Sequence, residues 1–283
     1  MIDISNIQDT TIDGYHVSKR LRQLQMLELD LLKELLRVCD KHHLRVFADS
    51  GTLLGAVRHQ GFIPWDDDID IMMPRPDFDR FFQLYHKEGK YKAAAPGENY
   101  MAIGRIYDTE LTHIETEIPW VKGECGVWID VFPIDGAPSD LEEHKQFVAD
   151  LNVYFRKQLR RRKLLLPYSA LSLKKRWRKL ACSLGLSESL QSVLSKHIAL
   201  MQKYKFETAT HCSLLGRPWN AVKEYFSKDT LTHFTDIEFE GMKVKAVQDY
   251  DTVLSRFYGN YMQLPPKEKQ VPAQMDYIKF YWK

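Results

Sequence analysis

The chain has 283 residues, 44% of them hydrophobic, with 40 Lys and Arg against 38 Asp and Glu for a formal net charge of +2. That length buries a sizeable core as one large domain or as a core with an appendage, and so even a balance names no partner class. No stretch approaches the roughly eighteen apolar residues of a membrane span, Cys39, Cys125, Cys182 and Cys212 form no Cys-x-x-Cys pair, and Met1-Ile2-Asp3-Ile4-Ser5 is no basic and apolar leader; together these point to reduced thiols in a cytoplasmic protein.

Residues 1 to 14 read as an extended arm ending at Gly14. From about Val17 to Asp40, Leu24, Leu27, Leu31, Leu35 and Val38 recur three or four apart, which predicts an amphipathic helix, with His42 and His43 at its end as capping or surface residues. Arg45 to Ala48 reads as a short buried strand, and Asp49-Ser50-Gly51-Thr52 turns it into a helix beginning near Leu53. Free backbone N–H groups at that start, the hydroxyls of Ser50 and Thr52 and the close approach allowed by Gly51 make an anion site sized for phosphate. Pro64-Trp65-Asp66-Asp67-Asp68-Ile69-Asp70-Ile71 follows as a strand, so Asp66, Asp68 and Asp70 share one face while Ile69 and Ile71 enter a core. Three like charges on one face call for a cation, and oxygen ligands suit Mg²⁺ or Mn²⁺. An EF-hand is excluded, because the sixth position from Asp66 is Ile71 where the loop needs Gly. A phosphate cradle beside a carboxylate strand is equipment for phosphoryl transfer.

Further on, Pro74-Arg75-Pro76 interrupts regular structure and Asp77 caps a helix through about Lys87. Tyr100 to Ile106 reads as a strand that brings Arg105 either to the phosphates or into a surface salt bridge. Gly126 to Phe132 is a central buried strand with one acid, Asp130, which either completes the metal site, takes a proton from an attacking hydroxyl, or serves as a hydrogen-bonding acid at the strand end. Asp135-Gly136 and Pro138 then turn the chain, and a helix starts near Ser139 with Glu142 as capping-box partner.

Between Asp150 and Glu188 there is no acid, while eleven Lys and Arg from Arg156 to Lys179 leave the rest of the chain with 29 basic residues against 38 acidic. Interleaved with Leu164 to Leu166, Leu171, Leu173 and Trp177, they predict a helical hairpin that meets an anionic membrane surface or a polyanionic acceptor, or else a solvated basic pair; no nucleic-acid motif accompanies them. Lys196 to Phe206 reads as helix, Gly216-Arg217-Pro218 as loop, 237 to 246 as a β-hairpin, Tyr250 to Phe257 as a short helix, and the tail with Pro265, Pro266 and Pro272 as extended. The fold class is therefore α/β (α+β), a mixed sheet flanked by helices with a mainly helical basic insertion, in three sections: 1–150 as catalytic core, 151–236 as helical basic segment, and 237–283 returning over the core.

The runs Gly51-Thr52-Leu53-Leu54-Gly55, Arg58-His59, Gly61, Pro64 to Asp70, Trp128 to Asp135 and Tyr258 to Met262 with Leu264-Pro265-Pro266 resemble the signature of the LicD family of phosphocholine transferases, related to the fukutin-type transferases. The resemblance implies a nucleotidyltransferase-like core and transfer of phosphocholine from CDP-choline to a hydroxyl of a cell-surface glycan precursor, such as teichoic acid or lipopolysaccharide, with release of CMP. It implies that Asp68, Asp70 and Asp130 are catalytic, that Asp66 joins them around the metal, and that the donor lies on Ser50, Gly51, Thr52 and Arg58 or Arg105. Trp65, Trp120 and Trp128 are the candidates to face the quaternary ammonium, Trp65 foremost. Transfer of another phosphoalcohol such as ribitol phosphate, and a non-catalytic polyanion-binding role for the basic segment, are the alternatives.

Overall fold

A computed structural model describes residues 4–273 and 279–283, so the first residues of the N-terminal arm and part of the C-terminal tail lie outside the described residues. The rest of the arm is not simply extended: strands β1 (Thr10–Ile12) and β2 (Tyr15–Val17) pair around Asp13 and Gly14, both with positive φ. Helix α1 (Lys19–His42) follows, capped by Ser18, whose hydroxyl accepts the Leu21 N–H. Its leucine stripe is buried, and His43 closes it in a left-handed conformation that returns its N–H to Asp40.

Strand β3 (Phe47–Ala48) leads into helix α2 (Ser50–His59), which starts three residues earlier than the sequence suggests. The carboxylate strand is shorter than expected: β4 spans Asp70–Pro74, and Asp66 to Ile69 form an extended approach to it. The alternation nevertheless holds, with Asp67, Ile69 and Ile71 buried and Asp66, Asp68 and Asp70 half-buried. Helix α3 (Arg75–Glu88) begins directly after Pro74 and carries Pro76 in its first turn, where the missing N–H costs nothing.

Strands β5 (Lys92–Ala94), β6 (Gly104–Tyr107) and β7 (Thr112–Glu115) precede β8 (Trp128–Ala137), the longest strand. The turn expected at Asp135-Gly136 is instead part of β8: Asp135 is buried and accepts two hydrogen bonds from Arg75, at 2.6 and 2.8 Å, which removes the reason for the chain to leave the sheet there. The turn comes at Pro138, and Asp140, not Ser139, caps helix α4 (Leu141–Arg162) by accepting the Glu143 N–H at 2.8 Å.

Helices α5 (Leu173–Ser183) and α6 (Leu190–Met201) follow, then strands β9 (His211–Ser213) and β10 (Tyr225–Ser227), the hairpin β11 (Phe234–Phe239) with β12 (Met242–Val247), helix α7 (Tyr250–Tyr258) and strand β13 (Lys279–Trp282). Helix α6 lies earlier than the 196–206 reading, because Ser189 caps it and the chain after Met201 turns toward β9.

Among the described residues these strands build a seven-stranded mixed sheet. It runs β10-β9-β8-β4-β3, with β6 also on β8 and β5 beside β6; β4 and β8 are parallel and the other pairs antiparallel. The main core joins the α1 leucines, the phenylalanines of α3, Ile69, Ile71, Ile129 and Val131. Outside the sheet, Glu240 at the β11–β12 turn holds the hairpin to α1 through Arg22 at 2.6 and 3.0 Å. All four cysteines are free, and no helix among the described residues is long and apolar enough to cross a membrane.

Candidate active site

Register sets up the centre. Asp70 on β4 stands opposite Asp130 on β8, and Asp130 stands opposite Arg105 on β6. In-register neighbours present their side chains on the same face, so these three make a row across the sheet. Arg105 grips Asp130 with two hydrogen bonds, Nε to Oδ1 at 2.6 Å and Nη2 to Oδ2 at 3.1 Å. Arg105 makes a salt bridge, a buried one at the centre and not the surface pair weighed above.

The guanidinium of Arg105 lies over Trp128 at 4.2 Å and Trp120 at 4.8 Å, and that of Arg162 lies over Trp120 at 4.0 Å. Arg162 is buried, and burial together with Arg105 pushes its guanidinium down to about 10. Both indoles are therefore already engaged by cations.

The approach to β4 concentrates acid. One carboxylate oxygen from each of Asp66, Asp67 and Asp68 lies within 4.8 Å of the others. Asp67, unassigned in the sequence reading, is buried and accepts the Ala273 N–H at 3.0 Å. Burial, then Asp68 and Asp67, raise the Asp66 carboxyl well above the usual carboxylate range. Burial and Asp68 raise Asp70, against the pull of Arg217.

Helix α2 meets this cluster at its first turn. Ser50 takes a positive φ of 47°. Gly51 allows a close approach, here by a carboxylate: a Cβ there would stand 2.6 Å from Asp66 Oδ2, so only Gly lets Asp66 lie against the helix start. The Thr52 hydroxyl is buried and accepts the Asp70 N–H at 2.9 Å, which ties the helix start to the first residue of β4.

Arg58 and Trp65 stand apart from the Arg105 side. They line a cavity of about 450 Å³ with Leu54, Tyr258, Tyr261 and Pro265. Arg58 donates to the Tyr261 carbonyl at 2.9 Å, and Trp65 packs on Tyr15 at 5.5 Å between ring centroids. Tyr258 connects cavity and acids, since burial and the charges of Asp49, Asp66 and Asp70 raise its hydroxyl above the tyrosine range.

Four further residues complete the centre and carried no assigned role in the sequence. Glu28 on α1 is buried, its Oε2 has no hydrogen-bond partner, and burial followed by Asp68, Asp67, Asp66 and Asp70 raises it far above the carboxylate range. Its signal was an acid set among Leu24, Leu27, Leu31 and Leu35. Asp49 and Glu224 are buried and share Arg217, which also lies 3.6 Å from Asp70 and 2.5 Å from Glu224. Arg217 sat in a Gly-Arg-Pro loop with no pattern to mark it.

The donor set is one that would hold a divalent cation: all oxygen, crowded, and with the buried Glu28 Oε2 left without a hydrogen-bond partner. Protonation is how such a cluster bears its own repulsion without an ion, and a bound ion reverses that balance.

Comparison with known proteins adds the following. Residues 43–179 match the family model described as LicD/FKTN/FKRP, nucleotidyltransferase domain. The chain is 30% identical over 268 residues to the lipopolysaccharide cholinephosphotransferase LicD of Haemophilus influenzae, covering 89% of this chain and 95% of that protein. It is also similar to an uncharacterized protein of Rickettsia typhi, 37% identical over 78 residues, 28% of this chain and 24% of that one. A third match, to an uncharacterized protein of Rickettsia prowazekii, is 38% identical over 71 residues, 25% of this chain and 26% of the other.

Proposed function

Because the chain belongs to the LicD family, we propose that it transfers phosphocholine from CDP-choline to a hydroxyl of a cell-surface glycan precursor, releasing CMP. The observation that carries this reading is the aromatic cavity lined by Arg58, Trp65 and Tyr258, in which Trp65 directly precedes Asp66 of the acid cluster. A quaternary ammonium seeks an aromatic face. Trp120 and Trp128 already carry guanidinium groups, which leaves Trp65, with Tyr258 and Tyr261 around it, as the face for choline.

In this reading Asp66, Asp68 and Asp70 would hold Mg²⁺ or Mn²⁺, with Asp67 close enough to join them, and of its two roles, ligand or base, Asp130 takes that of base. The ion, when bound, supplies charge neutralisation at the diphosphate. The N–H groups of Ser50 and Gly51 and the Arg58 guanidinium receive the phosphates, and Thr52 fixes the helix start that presents those amides. The acceptor oxygen attacks the choline-bearing phosphorus as the bond to the bridging oxygen breaks. CMP leaves with that electron pair, and the acceptor proton passes to Asp130, which Arg105 holds in place. The core then works as a nucleotidyltransferase-like unit (1–150), with 151–236 and 237–283 supporting it.

The test is CMP release from CDP-choline with Mg²⁺ and lipid-linked glycans, run beside CDP-ribitol. Asp70→Asn should abolish release with an unchanged circular dichroism spectrum, and Trp65→Ala should raise KM for CDP-choline more than it lowers kcat. Normal turnover by Asp70→Asn would sink the assignment, and preference for CDP-ribitol would replace the donor.

A further inference from the structure

Among the described residues, α5 is the only α-helix with no buried side chain. Leu173, Trp177, Leu180 and Leu184 are spaced four, three and four apart, so they form one stripe, and that stripe faces solvent. Leu173 is 74% exposed, Trp177 70%, and Leu186, just past the helix, 79%. An apolar face of this kind on the surface of a globular protein marks something it binds.

The cations are arranged around it. Lys174, Lys175 and Arg178 are exposed, and none of the ion pairs among the described residues involves them. Arg176 and Lys179 turn inward to the Leu171 and Leu166 carbonyls, at 2.9 and 2.6 Å, and hook α5 onto the bend that follows α4. Exposed Arg156, Lys157 and Arg160 at the end of α4 extend the positive surface. With no acid from 151 to 187, nothing on this segment opposes that field.

A soluble polyanion would satisfy the cations and leave the indole and leucines in water. An anionic bilayer surface takes both, cations at the headgroups and apolar groups at the acyl boundary. We propose that α5 lies in the plane of an anionic lipid surface, with Leu173, Trp177, Leu180 and Leu184 inserted and Lys174, Lys175 and Arg178 at the phosphates. The surface is independent of the donor chemistry proposed above.

The experiment is co-sedimentation of the full chain with phosphatidylcholine vesicles, with and without phosphatidylglycerol. Binding should need phosphatidylglycerol and weaken in high salt. Trp177→Ser with Leu184→Ser should bind those vesicles about tenfold or more weakly yet hold soluble polyphosphate as before, whereas Lys174→Glu, Lys175→Glu and Arg178→Glu together should lose both. These positions are exposed and distant in role from the acids, so an unchanged thermal midpoint verifies that each variant is folded. No sedimentation with anionic vesicles, or sedimentation of the serine variant like the parent, would overturn the proposal; the second result would make α5 a polyanion site. A serine variant that only converts a dimer to a monomer in light scattering would assign the stripe to a second copy of the chain.

Discussion

At Arg217 three acids meet one guanidinium: buried Asp49, buried Glu224 at 2.5 Å and half-buried Asp70 at 3.6 Å, with the Phe132 ring 4.4 Å beneath. Removing one partner from a buried network leaves charge with no compensation, which costs about 3–5 kcal/mol. Arg217→Met should lower the unfolding free energy measured in guanidinium chloride by that amount, and adding Glu224→Gln should recover part of it; an unchanged free energy would show the network to be dispensable. None of this was legible beforehand, because Arg217 reaches Asp49 across 168 residues and a loop arginine has no period to betray it. Asp66, Asp68 and Asp70 were legible, since their alternation with buried neighbours is a property of the local chain. Arg105 was half legible: a cation near the site could be inferred, but only the register of β6 against β8 shows that its partner is Asp130.

The helices and strands follow their patterns where packing is local and depart where a distant residue intervenes. Helix α1 kept its leucine stripe, whereas β8 ran on through Asp135-Gly136 because Arg75 from α3 neutralises the acid that would otherwise favour a turn. The join between α4 and α6 shows the same long-range control. His197 of α6 is fully buried, its Nδ1 lies 3.1 Å from Gln158 Oε1 of α4, and burial lowers it from 6.5 to about 4. The unfolded chain thus binds a proton that the fold refuses, so stability is complete above pH 6.5 and falls as pH drops toward 4, by at most about 3 kcal/mol. His197→Gln should flatten that part of the stability–pH curve relative to the parent in urea unfolding. Equal slopes would mean that His197 takes up its proton without opening the contact.

Viewed as a whole, the molecule gathers its centre from residues as distant as Glu28 on α1 and Tyr258 on α7, and its second section supplies both two strands of the sheet and Arg217. A ligand held by such a centre stabilises the entire fold, by about 2.7 kcal/mol at a hundredfold excess over Kd. Mn²⁺ should therefore raise the thermal midpoint of the parent in a concentration-dependent way and leave that of Asp68→Asn with Asp70→Asn unmoved; an equal rise in both would put the ion elsewhere. One feature of the acid row also makes it visible. Two of the six tryptophans, Trp120 and Trp128, have guanidinium carbons 4.0 to 4.8 Å from their rings, and one of those cations is the clasp on Asp130. Whatever loosens that clasp changes the electric field across both indoles, so the ultraviolet emission of the unlabelled protein becomes an optical gauge of events at the centre.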